Sequence, residues 1–151
     1  MQILTFDLED DYSLIGIHSS EDDYRLAYLI NKHLNFEFTR FKHCLDFKDS
    51  TAEYPMFEYK DEEKFIDYYL INNKHLQFVS NQNNKVLFGG NYTVSYLIPE
   101  KKKVDFFLKI TGCNGDCFVE NLVAQLKKID QVITSYAIEP SDLKSKEHLI
   151  F

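Results

Sequence analysis

The sequence is poor in the residues that usually mark disulfide scaffolds and nucleotide-binding loops. Its 151 residues include only three cysteines, five glycines and three prolines, and there is no tryptophan. A small, odd number of cysteines fits a reduced cytoplasm better than a disulfide framework. No apolar run approaches the roughly 18 residues of a membrane span, and the acidic N-terminus does not resemble a signal peptide. We therefore expect a cytoplasmic protein that does not enter a membrane.

Aromatic residues are what the chain has in abundance. It contains 13 Phe and 10 Tyr, and hydrophobic residues of all kinds make up 44% of the sequence against 27% charged. Large rings bury much apolar area each, so a chain of this length can build a substantial core. Because no linker composition interrupts the sequence, we expect one domain over residues 1–140, followed by a C-terminal tail at residues 141–151.

Charge is distributed unevenly along the chain, which carries a formal net charge of −7. Residues 1–72 contain 16 acidic and 7 basic side chains, whereas residues 73–151 contain 8 acidic and 10 basic ones. The first half therefore repels phosphate, and only the second half is suited to an anionic partner. Nucleic-acid binding, if present, is expected in the second half alone.

Hydrophobic periodicity predicts an α+β fold. A wide apolar stripe predicts a helix that ends near Asn35, and Asp116 is placed to begin a second helix. Alternating residues predict a first strand at Tyr12–His18 and a last one at Val132–Ile138. The expected fold is an antiparallel β-sheet of about six to eight strands with two helices packed on it, in the order β-α-β-β-β-β-β-α-β.

Hairpins are expected to join most of the strands between the helices. Tyr92–Ile98 and Val104–Ile110 alternate on either side of a five-residue polar turn and predict one hairpin. Leu76–Val79 and Val86–Phe88 predict a smaller one. Phe36 and Phe38 are expected to open a strand.

Residues with catalytic or metal-binding chemistry show no assembled pattern. Cys113 and Cys117 lie near the start of the second predicted helix, but a closed zinc site needs four ligands and a redox pair usually has two intervening residues. The five histidines are scattered, and no phosphate loop, nucleophile elbow or dinucleotide fingerprint is present. The sequence thus predicts no catalytic residue, no metal and no cofactor, and it leaves a redox role for the two cysteines open.

Three consecutive lysines, Lys101, Lys102 and Lys103, occupy the polar turn of the larger predicted hairpin. Aromatic residues in the adjoining strands are interleaved with these basic residues, which superficially resembles a base-stacking platform for RNA. These aromatic residues are Tyr92, Tyr96, Phe106 and Phe107. The alternative is that the rings belong to the core and the lysines keep the turn soluble.

The same turn carries a family resemblance. Ile98-Pro99-Glu100 and Val104-Asp105-Phe106, separated by three residues, resemble the signature of the IPExxxVDY family, with Phe106 where the signature has Tyr. The likeness extends to the segments at 14–18, 24–29, 132–136 and 143–147, and so spans nearly the whole chain. It implies a small cytoplasmic protein of Bacteroidota, a family with no established biochemical activity, and it supplies no catalytic residue.

Two interpretations of the signature remain open at this point. It is either a fold element, in which Pro99 fixes the turn and the acids bond to lysines or backbone donors, or a recognition surface. In the second case the candidate residues are Glu100, Lys101–Lys103 and Asp105.

The leading functional hypothesis is a non-catalytic binding or regulatory module with a protein partner. The alternatives are an enzyme built from dispersed carboxylates and histidine, and an RNA-binding accessory protein that uses the basic second half. Rings on both faces of a strand at Phe65–Ile71 also predict a homodimer.

Overall fold

A computed structural model of the protein describes residues 12–41, 45–46, 53–79, 91–112, 116–149 and 151. Within these residues there are two α-helices, α1 (Asp23–Leu34) and α2 (Asp116–Lys127). Neither helix of the described part is long and apolar enough to cross a membrane. The strands are β1 (Tyr12–His18), β2 (Thr39–Arg40), β3 (Leu45–Asp46), β4 (Glu53–Tyr54), β5 (Met56–Asp61), β6 (Ile66–Asn72), β7 (Lys74–Val79), β8 (Asn91–Tyr96), β9 (Phe106–Thr111) and β10 (Thr134–Ile138).

Six of these strands form one sheet in the order β10-β1-β9-β6-β5-β2, and every neighbouring pair is antiparallel. Two further antiparallel pairs, β3–β4 and β7–β8, lie outside it. The predicted class, an α+β fold with two helices and an antiparallel sheet, is confirmed.

Both helices pack on one face of the sheet and form the larger part of the core. β1 and β9 direct alternate residues such as Ile15, Ile17 and Leu108 toward this face, as the two-residue period of a strand requires. The apolar stripe of α1 is buried against them, with Leu26 and Ile30 completely inaccessible. This packing orients β1 and β9, which in turn fix the position of the segment that joins β8 to β9.

The opposite face of the sheet is covered by non-helical segments. Leu14 of β1 and Phe107 of β9 point into it and are almost wholly buried. The cover includes residues 140–149, here called the C-terminal strap, which contains two short 3-10 helices, Pro140–Asp142 and Lys146–Leu149. Leu143 and Leu149 of the strap are buried in this second cluster. The segment expected as a tail therefore packs against the sheet.

A buried cation helps to hold the strap. Lys109 of β9 is only 5% exposed, and its Nζ donates a 2.6 Å hydrogen bond to the carbonyl oxygen of Leu149. The same Nζ lies 4.0 Å from the ring centroid of Phe151, a cation–π arrangement. A lysine on a strand that is buried on both faces needs such partners, because an unpaired charge is costly away from water.

The prediction of the larger hairpin is wrong. β8 pairs with β7, while β9 lies between β1 and β6 in the main sheet. The alternation was a correct signal for two strands, but the first five of the six residues of β9 are buried and both of its edges are occupied. A strand that is buried on both faces is favoured at the centre of a sheet. A hairpin with β8 would not place β9 there.

Three other expectations come out differently. Phe36 and Phe38 precede the short strand β2 and do not belong to it. Val86–Phe88 lies outside the described residues, so the smaller hairpin stays a prediction, although its first half, Leu76–Val79, lies in β7. Phe65 lies in the turn before β6, and Tyr69 is half-buried against Phe151. Tyr68 is 3% exposed and Tyr69 is partly covered, so β6 itself does not supply the open apolar face from which the homodimer was predicted, and the homodimer stays a prediction.

Val104 provides a test of the second cluster. It is 1% exposed and lies over Gly16, where an added Cβ would be 3.4 Å from both Val104 methyl carbons. We expect Val104→Ala to lower the free energy of unfolding by about 1–3 kcal/mol, because two buried methyl groups are lost and the site relaxes only in part. Val94→Ala is the matched control, since Val94 is 46% exposed. Equal losses in urea denaturation of the two variants would contradict the packing described.

Candidate functional site

The candidate site is the segment that contains the family-like motif, residues 97–105, here called the signature turn. A short 3-10 helix begins at Pro99 and ends at Lys101. The N–H of Lys101 donates to the carbonyl oxygen of Ile98 at 3.0 Å, and that of Val104 to the carbonyl oxygen of Lys101 at 3.1 Å. Proline suits the first helical position because its fixed φ matches the helix and its missing N–H is not needed there.

Asn73, between β6 and β7, anchors the turn from beneath. Its side chain is fully buried. The amide Nδ2 donates 2.8 Å bonds to the carbonyl oxygens of Lys101 and Val104, and Oδ1 accepts a 2.8 Å bond from the N–H of Ile98. Its backbone also bonds to both ends of the turn, at Leu97 and Asp105. One asparagine therefore fixes the path of the whole signature turn.

Glu100 joins the turn to the C-terminal strap. Its two carboxylate oxygens accept bonds from the N–H of Ser145 at 2.7 Å and from the hydroxyl of Ser145 at 3.0 Å. Burial by itself raises the pKa of Glu100, but these bonds, with further backbone bonds, outweigh that effect and the net pKa is lowered. The ionised carboxylate is thus the form that holds the strap.

Asp105 joins the turn to two other segments. One carboxylate oxygen accepts a 2.8 Å bond from the N–H of Ser19, in the loop before α1, and the other lies 2.9 Å from Nζ of Lys74. The Ser19 hydroxyl in turn donates to the carbonyl oxygen of Gln131. The ion pair is partly exposed and contributes modestly, whereas the bond to Ser19 fixes the start of α1 relative to the turn.

The three lysines of the turn line its surface to different extents. Lys102 and Lys103 are exposed and Lys101 is half-buried. Together with Pro99, Glu100, Val104 and Tyr136 they line a depression of about 380 Å³. The Lys102 ammonium also lies 5.7 Å from the ring centroid of Tyr96.

Tyr136 of β10 forms the aromatic wall of this depression. It is 37% exposed, and its hydroxyl lies 2.9 Å from Nε2 of His18, with the two rings tilted at a centroid distance of 5.4 Å. Burial raises the pKa of the Tyr136 hydroxyl, which keeps it in the neutral, hydrogen-bonding form. The depression therefore combines positive charge with one accessible ring.

The structure divides the five candidate residues into two groups. Lys101, Lys102 and Lys103 form the outward surface, whereas Glu100 and Asp105 are bonded to the rest of the fold. Sequence reasoning missed Asn73, Ser145 and Tyr136. Tyr136 lies in the last predicted strand, but neither its exposure nor the edge position of that strand can be read from the sequence. A single asparagine and a single serine give no periodic signal.

Other candidate groups contribute less. Among the described residues there is no group of three or more His, Cys, Asp and Glu side chains arranged to hold a metal ion. Cys117 is an exposed free thiol, and Cys113 lies outside the described residues. Of the proposed stacking rings, Phe106 and Phe107 are buried in the core.

Comparisons of the chain with models of protein families, with curated proteins and with solved structures find no match. The resemblance to the IPExxxVDY family stays a prediction that rests on the residues quoted above.

The role assigned to Asn73 predicts a large loss of stability on truncation. Asn73→Ala removes three side-chain hydrogen bonds and leaves buried backbone groups without that partner, so we expect unfolding to become easier by about 2–4 kcal/mol. The neighbouring Asn72 is half-buried and serves as the control, with Asn72→Ala expected to cost less than about 1 kcal/mol. Chemical denaturation of both variants checks this. A loss for Asn73→Ala no larger than for Asn72→Ala would refute the anchoring role.

The lowered pKa of Glu100 predicts a pH-dependent contribution to stability. Since the folded-state pKa lies below the unfolded value of about 4.5, the contribution is fully present above that value and disappears as the pH falls through the folded pKa. Glu100→Gln should therefore lower the melting temperature at pH 7 and match the unmodified protein in strong acid. Glu147→Gln, an exposed acid of the same strap, is the control. A difference that persists unchanged into strong acid would contradict the bond to Ser145.

Proposed function

We propose that this chain is a non-catalytic binding module of the bacterial cytoplasm that recognises an acidic segment of a partner protein through the signature turn. One observation carries the proposal. The two acids of the turn are bonded to Ser145, Ser19 and Lys74, while its three lysines line a depression beside Tyr136. The turn therefore presents positive charge from a fixed backbone.

The overall charge of the chain makes this positive surface selective. The protein carries a net charge of −7, so an acidic partner is repelled by most of its surface. Exposed charges act over a screening length of about 8 Å at physiological salt, so the lysines still attract an acidic group that reaches them. Such an arrangement selects orientation and partner more than it adds raw affinity.

The placement of the aromatic rings supports a protein partner over RNA. Single-stranded RNA is held by bases stacked on accessible rings beside a basic groove. Phe106 is 4% exposed and Phe107 is inaccessible, and Tyr96 is half-buried beneath Lys102. Tyr136 is the ring of the depression that a partner can contact.

The lining of the depression also supports recognition over catalysis. The enzyme hypothesis requires a histidine and two acids that converge on one cavity. The depression of the signature turn is lined by three lysines. The Glu100 carboxylate accepts bonds from Ser145, and His18 bonds to the Tyr136 hydroxyl. These groups are suited to hold an anion in place.

Binding of a defined acidic probe tests the proposal. A fluorescent octaglutamate peptide should bind the protein at low salt, and binding should weaken as salt is added. Replacement of Lys101, Lys102 and Lys103 by Gln should weaken binding by at least about tenfold, which corresponds to about 1.4 kcal/mol. Fluorescence anisotropy measures both effects, and thermal unfolding checks that the variant remains folded.

A matched control removes three charges elsewhere. Lys32 on α1 and Lys127 and Lys128 at the end of α2 are exposed, and their replacement by Gln should leave peptide binding within about twofold. If this control weakens binding as much as the turn variant does, attraction is non-specific and the site is refuted. If an RNA octamer binds through the turn and the peptide does not, the protein partner is refuted in favour of RNA.

A further inference from the structure

A second unusual surface feature is the connection from the end of β5 to β6, residues 61–65, here called the acidic turn. Phe65 is 85% exposed, the highest exposure of any large hydrophobic side chain in the described residues. Asp61, Glu62 and Glu63 precede it, and Glu62 and Glu63 are exposed. At this exposure the Phe65 ring lies outside both core clusters, and its apolar surface is accessible to a partner.

The backbone holds Phe65 in this position. Its φ of 57° lies in the left-handed region, which is uncommon for a residue other than glycine. Gly112, with a φ of 88°, passes so close that an added Cβ would collide with the carbonyl oxygen of Phe65. The Asp61 carboxylate accepts a 3.2 Å bond from the N–H of Lys64, which closes the turn. The backbone that carries the exposed ring is therefore held in a defined conformation.

The acidic turn complements the depression of the signature turn in both charge and apolar character. It offers a ring framed by acids, and the depression offers the Tyr136 ring framed by Lys101–Lys103. Lys60 and Lys64 reduce the negative charge around Phe65, but the stretch 60–67 still has four acids against two lysines. Aromatic contact and opposite charge would act together in such a contact.

The two turns cannot meet within one chain. Asp67 pairs with Thr111 at one end of the β6–β9 ladder, and Asn72 pairs with Phe106 at the other. The acidic turn precedes the first end and the signature turn follows the second, so a separation of about 20 Å along the strands lies between them. Any contact between them must join two copies.

We propose that a second copy of this chain is a partner of the signature turn, with Phe65 and its acids from each copy seated in the lysine-lined depression of the other. The inference rests on the proposed function, because it uses the same recognition surface. In a dimer with a two-fold axis both contacts form at once, and we expect this closed assembly in place of an open chain.

A charge exchange tests the contact without disturbing the groups that hold either turn. Lys102→Glu/Lys103→Glu makes both surfaces acidic, and Glu62→Lys/Glu63→Lys makes both basic. Each double variant alone should be monomeric in sedimentation velocity at concentrations where the unmodified protein is a dimer. An equimolar mixture of the two should recover the dimer, because both contacts then have opposite charges again.

Three results would overturn this proposal. They are a monomeric unmodified protein at hundreds of micromolar, double variants that remain dimeric, and a mixture that stays monomeric. A mass that keeps growing beyond two copies with concentration would overturn the closed dimer.

The ring itself is tested by Phe65→Asn, since asparagine tolerates the left-handed backbone. This variant should keep or raise the melting temperature and raise the dissociation constant of the dimer by at least about tenfold. Tyr28→Ala removes another exposed ring, 56% accessible on α1, and should leave the dimer unchanged. If octaglutamate still binds the turn while the copies do not associate, the proposed function stands and this inference fails.

Discussion

The buried amide of Asn73 is the interaction on which the arrangement of the site depends. Both of its donor hydrogens and its acceptor oxygen are used, and all three bonds go to backbone groups of the signature turn. A buried amide is costly unless it is satisfied in this way, and a satisfied one specifies a single backbone path. The turn therefore behaves as a fixed part of the sheet, although it contains little regular structure of its own.

Fixing the turn has consequences for distant parts of the chain. Glu100 and Asp105 are separated by four residues, yet they fasten segments that lie 45 and 86 positions away in sequence, at Ser145 and Ser19. The strap carried by Ser145 covers the face of the sheet that the helices leave open, and the Ser19 loop leads into α1. The two acids of the motif thus stabilise the fold. Because both are bonded to other segments, the accessible charge of the turn is that of its lysines.

The local part of this structure could be predicted from sequence, and the non-local part could not. The apolar stripe of α1 and the alternation in β1, β9 and β10 depend on residues close in sequence, and each predicted an element correctly. The pairing of β8 with β9 was predicted from local alternation and is wrong. The residues of β9 are buried on both faces, which favours a position in the middle of the sheet.

The same distinction holds at the site. The lysines of the turn were expected at the surface, where Lys102 and Lys103 are exposed and Lys101 is half-buried. The partners of Glu100 and Asp105 were expected among the intervening lysines or nearby backbone donors, whereas they come from Ser145, Ser19 and Lys74. Asn73 could not be identified, because a single buried amide is recognisable only when the groups that it bonds are known.

Native-state amide hydrogen exchange of the unmodified protein tests the central claim, that Asn73 fixes the signature turn. The N–H of Ile98 bonds to the Asn73 side chain, and the N–H of Leu97 bonds to its backbone oxygen. If the anchor is as firm as described, both amides exchange as slowly as that of Leu108 in the centre of the sheet, through global unfolding. Exchange of Ile98 and Leu97 as fast as that of the exposed Glu62 would contradict the account.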